Sequence, residues 1–325
     1  MTIQHLTTAT PPVARHRTSR RLLQGAGLLA ASALMLTACG GGDAGSEGSP
    51  EGGEGTTAAA GNTLERLQEE GTITVGIAGE VPYSYLEDGE PAGATVAMHE
   101  QIFADMGIEN VEAELVEWNS LIPGLNAGRF DAVSAGMSIL PDRCAQAAFS
   151  DPEIMYTTTL MVQEGNPLGL TDLDSVKEKI DAGESVDLAV LAGGIEAGYA
   201  ESLGLDVQSV PDAQTGMDTV ANGRADAFAM TAISLNTLAE ENPDAGVETT
   251  DAFVQVIDGV EQIGAGGTVF RQDDTDLLEA YNEALASVTE SEDTYLEVVG
   301  DYGFTAENLP PEDLTTEQLC AGDLG

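Results

Sequence analysis

Between Thr72 and Glu241 the chain alternates repeatedly between short runs of β-branched or apolar residues and longer stretches with helical spacing. Thr63–Glu70 reads as a leading helix stopped by Gly71, and Thr72–Ala78 (TITVGIA) as a strand. Ala92–Met106 reads as a helix after a Gly/Pro turn, Val111–Val116 as a second strand, and Leu121–Ala127 as a helix that Ser120 can cap. Phe130–Ala135 reads as a short buried strand. A loop Gly136–Pro141 follows, then a helix beginning near Asp142. Strands separated by helices need crossover connections and a sheet covered on both faces, which defines a doubly wound α/β lobe. The alternation then repeats. Tyr156–Val162, Val186–Leu191, Val207–Val210 and Ala225–Met230 are extended. Thr171–Ile180, Ile195–Leu203, Ala213–Asn222 and Thr231–Glu241 are helical. A second lobe, roughly 163–262, is therefore expected. Beyond it Glu261–Phe270 reads as a glycine-broken extended segment, and Asp274–Ser287 (with Asp caps) and Thr294–Tyr302 as amphipathic helices.

The N-terminal residues do not share this pattern. Arg15, His16, Arg17, Arg20 and Arg21 form a basic region ahead of apolar Leu22–Leu36, which is short for a membrane span. Residues 1–38 are read as an export leader. Leu36-Thr37-Ala38-Cys39 resembles the lipobox of bacterial lipoproteins, which implies cleavage before Cys39 and its lipid modification. Residues 39–61 are, after Cys39, Gly, Ser, Glu, Ala and Thr with one Asp and one Pro, a composition that builds no core and suits a flexible tether. The chain has 325 residues, with 56 acids and 11 Lys or Arg. Four of the Arg lie in the leader and no acid does, so seven cations face 56 anions afterwards, a charge of −49. Such a surface repels nucleic acid and anionic headgroups and stays soluble where salt screens it. A salt-rich habitat and an ordinary acidic exported protein both fit.

Chemistry is sparse. Of three His, two lie in the leader, and His99 reads as a solvated helix residue. No Ser-His-Asp set, phosphate-binding loop or spaced metal set is visible, which favours binding over turnover and implies no cofactor and no metal. In an open α/β sheet, ligands bind beyond the carboxyl ends of strands. Arg143 stands there, with a planar fork suited to a carboxylate and the backbone of Gly136–Ser138 nearby. A surface Arg paired with Asp142 or Asp151 is the plainer alternative. Glu80, Tyr83 and Trp118 also sit at strand exits, and a carboxylate with two aromatic rings can hold a delocalised cation. Alternatively the rings plug the rim of the core. Gly193-Gly194 opens a helix whose N-terminus is favourable to anions. Cys144 and Cys320 are either a disulfide or two free thiols.

Gly128, Arg129, Asp131, Pro141, Asp142, Arg143, Phe149, Ser150 and Pro152 together form a pattern that resembles the solute-binding proteins of bacterial ABC importers, in the class that takes polar amino acids. The likeness runs from about Leu64 to about Tyr302. It implies a two-lobed periplasmic-binding-protein-like fold (type II, α/β), with lobe one from 62–162 plus 263–325 and lobe two from 163–262. Hinge crossings would lie near Thr157–Val162 and Glu261–Gly264. It also implies a monomer that hands a small solute to ABC permease subunits, held at the outer face of the cell membrane through Cys39. Where amino-acid binders of the family keep an Asp for the ammonium, this chain has Thr231. Asp226 falls where the family keeps a structural Asp. Leu191 falls where some members keep a base.

The segments IAGEVPYSY, EWNSLIPGLNAGRFDAVSAGM and PDRCAQAAFSDP look like the ectoine/hydroxyectoine-binding subgroup. That likeness implies Arg143 on the carboxylate, Glu80 on the ring nitrogens, and Tyr83 and Trp118 flanking the ring. Lobe two would add Gly194, Ile195 and Thr231, largely through backbone and the helix N-terminus. The subgroup's further aromatic is Ser138 here. A polar or cationic amino acid is the alternative ligand, and a dehydratase-like enzyme on the same fold is the alternative class.

Overall fold

The computed structural model describes residues 62–322; the leader, Cys39 and the Gly/Ser/Glu segment lie outside the described residues. Lobe one opens with helix α1 (Thr63–Glu70), ended by Gly71 in the left-handed conformation, and strand β1 (Thr72–Ile77). A small hairpin of β2 (Tyr85–Glu87) and β3 (Glu90–Ala92) precedes helix α2 (Ala94–Asp105). Strand β4 (Asn110–Leu115), helix α3 (Leu121–Asn126), strand β5 (Ala132–Ser138) and the one-turn helix α4 (Pro141–Cys144) follow. The short strands β6 (Ala148–Phe149) and β7 (Ile154–Tyr156) end this half of the lobe.

The second lobe runs β8 (Thr158–Gln163), α5 (Leu173–Asp181), β9 (Leu188–Leu191), α6 (Ile195–Leu203) and β10 (Val207–Val210). It continues through α7 (Ala213–Ala221), β11 (Ala227–Thr231), α8 (Ala232–Glu241) and β12 (Val247–Thr249). A hairpin, β13 (Val256–Ile257) with β14 (Val260–Glu261), leads to β15 (Gly264–Phe270). Helices α9 (Thr275–Thr289), α10 (Glu292–Val299) and α11 (Thr316–Ala321) complete the described chain.

Two sheets result. The first has the order β4-β1-β5-β15-β6, with β7 also on β15; the second has the order β10-β9-β11-β8-β12. Strands β4, β1 and β5 are parallel, as are β10, β9 and β11, while β15 and β8 run against them. Both sheets are covered on both faces, which is why β5, β9 and β15 are buried along their whole length. In lobe one, Ile73, Ile77, Phe103, Tyr281 and Tyr295 pack under α2, α9 and α10, so the C-terminal helices return to this lobe. Leu121, Phe130, Val133, Phe149 and Leu319 fill the other face. In lobe two, Leu160, Val176 and Val190 lie on one side and Met161, Met217 and Phe228 on the other.

Strand β8 pairs with β11 and β12, so the first sheet ends at Tyr156 and the crossing is Thr157 alone, not Thr157–Val162. On the return path Phe253 still bridges Thr158, and β15 begins at Gly264. The second crossing therefore contains the β13–β14 hairpin. Three local expectations also change. Ser120 closes a short 3-10 turn over Trp118–Ser120 and makes no side-chain capping bond to α3. Asp274 does not cap α9; its carboxylate takes the Arg271 Nε at 2.7 Å and the Thr63 hydroxyl at 2.5 Å. His99 is fully buried, its Nε2 2.6 Å from Thr268 Oγ1, and burial holds it neutral, with its pKa down at about 3.

Phe130 occupies a slot that only glycines leave open. A Cβ on Gly76 of β1 would lie 2.5 Å from the Phe130 ring, and one on Gly124 of α3 would lie 2.8 Å from it. Gly76→Val is therefore expected to destabilise lobe one by about 1–3 kcal/mol through overpacking, read as a lowered midpoint in denaturant. An unchanged midpoint would show that the slot has slack.

Candidate functional site

The carboxyl ends of β1 and β5 face those of β9 and β11, and a small cavity lies between them; a larger one, of about 450 Å³, lies between residues 232–240 and 303–308. The small cavity is lined by Glu80, Tyr83, Trp118, Gly136 and Ser138 from lobe one and by Leu191, Gly194, Ile195, Met230 and Thr231 from lobe two, together with Tyr156 and Glu196. Its interior measures about 20 Å³, room for little more than one water-sized sphere. A solute therefore reaches it only when the lobes part.

Arg143 does not itself line the cavity; it stands on α4 behind the lining residue Ser138 and is 8% exposed. Its Nη1 donates to the Ser138 carbonyl at 3.0 Å and its Nη2 to the Gly193 carbonyl, across the cleft, at 2.8 Å. No carboxylate lies within ion-pair distance among the described residues, so neither Asp142 nor Asp151 neutralises it. Desolvation accordingly lowers its pKa. The Trp118 ring centroid is 5.7 Å from the guanidinium carbon, and the indole Nε1 donates to the Gly193 carbonyl at 3.0 Å. Helix α4 is fixed from behind by a disulfide between Cys144 and Cys320 on α11.

Glu80 follows β1 and reaches lobe two. Its Oε1 accepts from Ser234 Oγ at 2.6 Å and Thr231 Oγ1 at 3.1 Å. Desolvation pushes its pKa up to about 7 despite these two donors. Tyr83 is 1% exposed and set edge-on to Tyr156 and Phe304 at 6.3 and 5.3 Å. Its hydroxyl is buried without a hydrogen-bond partner among the described residues. The approach of this ring requires glycine at 136. There the backbone has φ +54, and a Cβ would lie 2.7 Å from the Tyr83 ring. Gly136–Ser138 is strand, not loop, because Met137 and Ser138 pair with Gly267 and Gly266 of β15. Ser138 takes the Tyr156 hydroxyl on its Oγ and Arg143 on its carbonyl. A tyrosine from the end of β7 thus stands beside the position where an aromatic residue was expected.

Of the nine residues singled out from the sequence, Glu80, Tyr83, Trp118, Gly136, Ser138, Gly194, Ile195 and Thr231 line this cavity, and Arg143 stands behind its wall, bonded to Ser138 and Gly193. Sequence reasoning missed Tyr156, Ser234 and Glu196. Ser234 lies three residues after Thr231, in the first turn of α8 that Thr231 precedes, and the two hydroxyls meet at 3.1 Å, which makes the spacing a usable signal. Glu196 directly follows the two residues taken from the start of α6 and is 2% exposed. Its Oε1 accepts from Thr158 Oγ1 at 3.3 Å. Lobe two therefore contributes side chains as well as backbone.

A profile for bacterial extracellular solute-binding proteins, family 3, matches residues 73–302. The chain is 32% identical over 267 residues to a probable amino-acid ABC transporter periplasmic-binding protein of Sinorhizobium fredii, covering 80% of this chain and 86% of that one. It is 26% identical over 251 residues to the L-cystine-binding protein TcyJ of Escherichia coli, covering 75% and 86%. Among solved structures, EhuB in complex with hydroxyectoine superposes with a TM-score of 0.70 at 32% identity, covering 80% of this chain and 98% of that one.

Proposed function

This chain belongs to the bacterial extracellular solute-binding proteins, family 3, and from that premise we propose that it captures a small zwitterionic compatible solute of the ectoine type for an ABC importer. Arg143 carries the reading. A guanidinium that is buried beside a cleft, held only by two carbonyls and with no carboxylate in ion-pair reach among the described residues, is costly on its own, and a solute carboxylate would relieve that cost. Glu80 supplies the acid for the solute's cationic end, and Tyr83 and Trp118 supply flat apolar faces for a delocalised charge. Gly194, Ile195 and Thr231 close over the solute from lobe two, and Gly136 and Ser138 form its floor. The protein would work outside the cytoplasm, anchored by lipid at Cys39, and deliver the solute to the permease subunits.

A second reading, a cationic amino acid, is favoured by one observation: Glu196 adds a second acid, fully buried, to the cleft. Calorimetric titration with ectoine, hydroxyectoine, arginine, histidine and glutamine separates the two. Heat from the ectoines alone is expected. Heat from arginine or histidine alone would replace the first reading by the second. Because Trp118 is the only tryptophan, its emission should change on ectoine binding. Trp118→Ala should weaken binding by about 0.5–2 kcal/mol if the ring covers the cation.

A further inference from the structure

Two acids, Glu80 half-buried and Glu196 fully buried, share the cleft region with a single buried guanidinium among the described residues. Glu80 comes from lobe one and Glu196 from the first turn of α6 in lobe two. Glu196 sits under the chain crossing, bonded to Thr158, and its Oε2 lies so near Gly194 that a Cβ there would be 3.3 Å away. The ionisable groups facing it are Arg143 from α4, Glu80 from beyond β1, Tyr156 from β7 and Tyr199 from α6. With both acids and the guanidinium ionised, the closed cleft holds one negative charge too many. A neutral zwitterion brings one charge of each sign and leaves that excess in place. A desolvated site removes an unmatched carboxylate charge most cheaply by binding a proton.

We propose that Glu196 is a specificity-determining residue of this cleft that binds as the neutral acid, so that each neutral zwitterion is captured together with one proton from solvent. The proposal rests on the zwitterion reading given above. Its balance is simple: a solvent proton joins the Glu196 carboxylate as the lobes close and leaves when they open. Burial, reinforced by the charge of Glu80, raises the Glu196 pKa to about 7. Glu80 is raised as well, but the solute's cation compensates it. With the lobes apart a glutamate titrates near its ordinary value of roughly 4.3. A carboxyl whose pKa rises on closure takes up a proton in the window between those two values. Affinity is therefore highest at the acid end, falls as pH rises towards about 7, and levels off above it.

Titration calorimetry with ectoine between pH 5 and 8, in buffers of different ionisation heat, tests this. The wild-type affinity should fall about ten-fold or more between pH 5 and 7.5, with proton uptake visible as buffer-dependent heat. E196Q should still bind, with an affinity that hardly changes with pH. A pH-flat affinity with buffer-independent heat in the wild type overturns the role given to Glu196 and leaves the solute reading standing. So does an undiminished pH slope in E196Q. No heat from any zwitterion in the wild type overturns both. If E196Q does not fold, the wild-type buffer dependence decides alone.

Discussion

Arg143→Ala should bind its solute at least about 100-fold more weakly than the wild type. Replacing one partner of a buried charge pair costs roughly 3–5 kcal/mol, because the other partner is left in the cleft uncompensated. Here the guanidinium also ties Ser138 to Gly193 across the cleft, so the variant loses a closing contact as well. Lysine should restore little, since a point charge cannot span both carbonyls and a carboxylate. Calorimetry against ectoine, with circular dichroism to confirm folding, checks this. An Arg143→Ala protein that binds as tightly as the wild type would remove the basis of the proposed function.

The second large effect concerns what lies behind that arginine. Removing the Cys144–Cys320 link, as Cys144→Ser with Cys320→Ser, should cost about 2–5 kcal/mol, because the bond closes a loop of 176 residues. The melting temperature should drop by roughly 5–15 °C. Solute affinity should fall in parallel, because α4 is a single turn and α11 supports it through Leu319 and the disulfide. The same shift should follow reduction of the wild type. A reduced protein with unchanged melting and affinity would show that α4 is held by its own contacts.

How legible this molecule was depended on where the deciding partner lies. Helices Thr63–Glu70 and Ile195–Leu203 have the bounds read from the sequence because glycines at 71, 194 and 204 mark their ends locally. The β5 strand ran three residues further than read because its partner, β15, lies more than a hundred residues away. Ile154–Gln163 looks continuous in sequence. Only its pairing, first to β15 and then to β11, divides it between the lobes. His99 was misread because a lone polar residue on a helix usually faces water, and its enclosure by Phe103, Thr268 and Tyr281 is a tertiary fact. Within the cleft, Glu80, Tyr83 and Trp118 could be named in advance because they stand at strand exits, and Gly194, Ile195 and Thr231 because of the family resemblance. Glu196 could not, because a glutamate in a first helical turn ordinarily marks a solvated end, and its enclosure by Thr158, Gly194 and groups of the facing lobe is a tertiary fact.

Strand β15 sits in the middle of the first sheet but arrives late in the chain, after all of lobe two. The usual order of emergence is thereby inverted. The half that begins first cannot be finished until residue 270 has left whatever tunnel delivers it, whereas the inserted half is continuous and complete by residue 253. A chain stalled at that point would display a formed lobe two beside an unfinished sheet edge at β5. That exposed edge is where a protective chaperone, or a damaging neighbour, would first take hold.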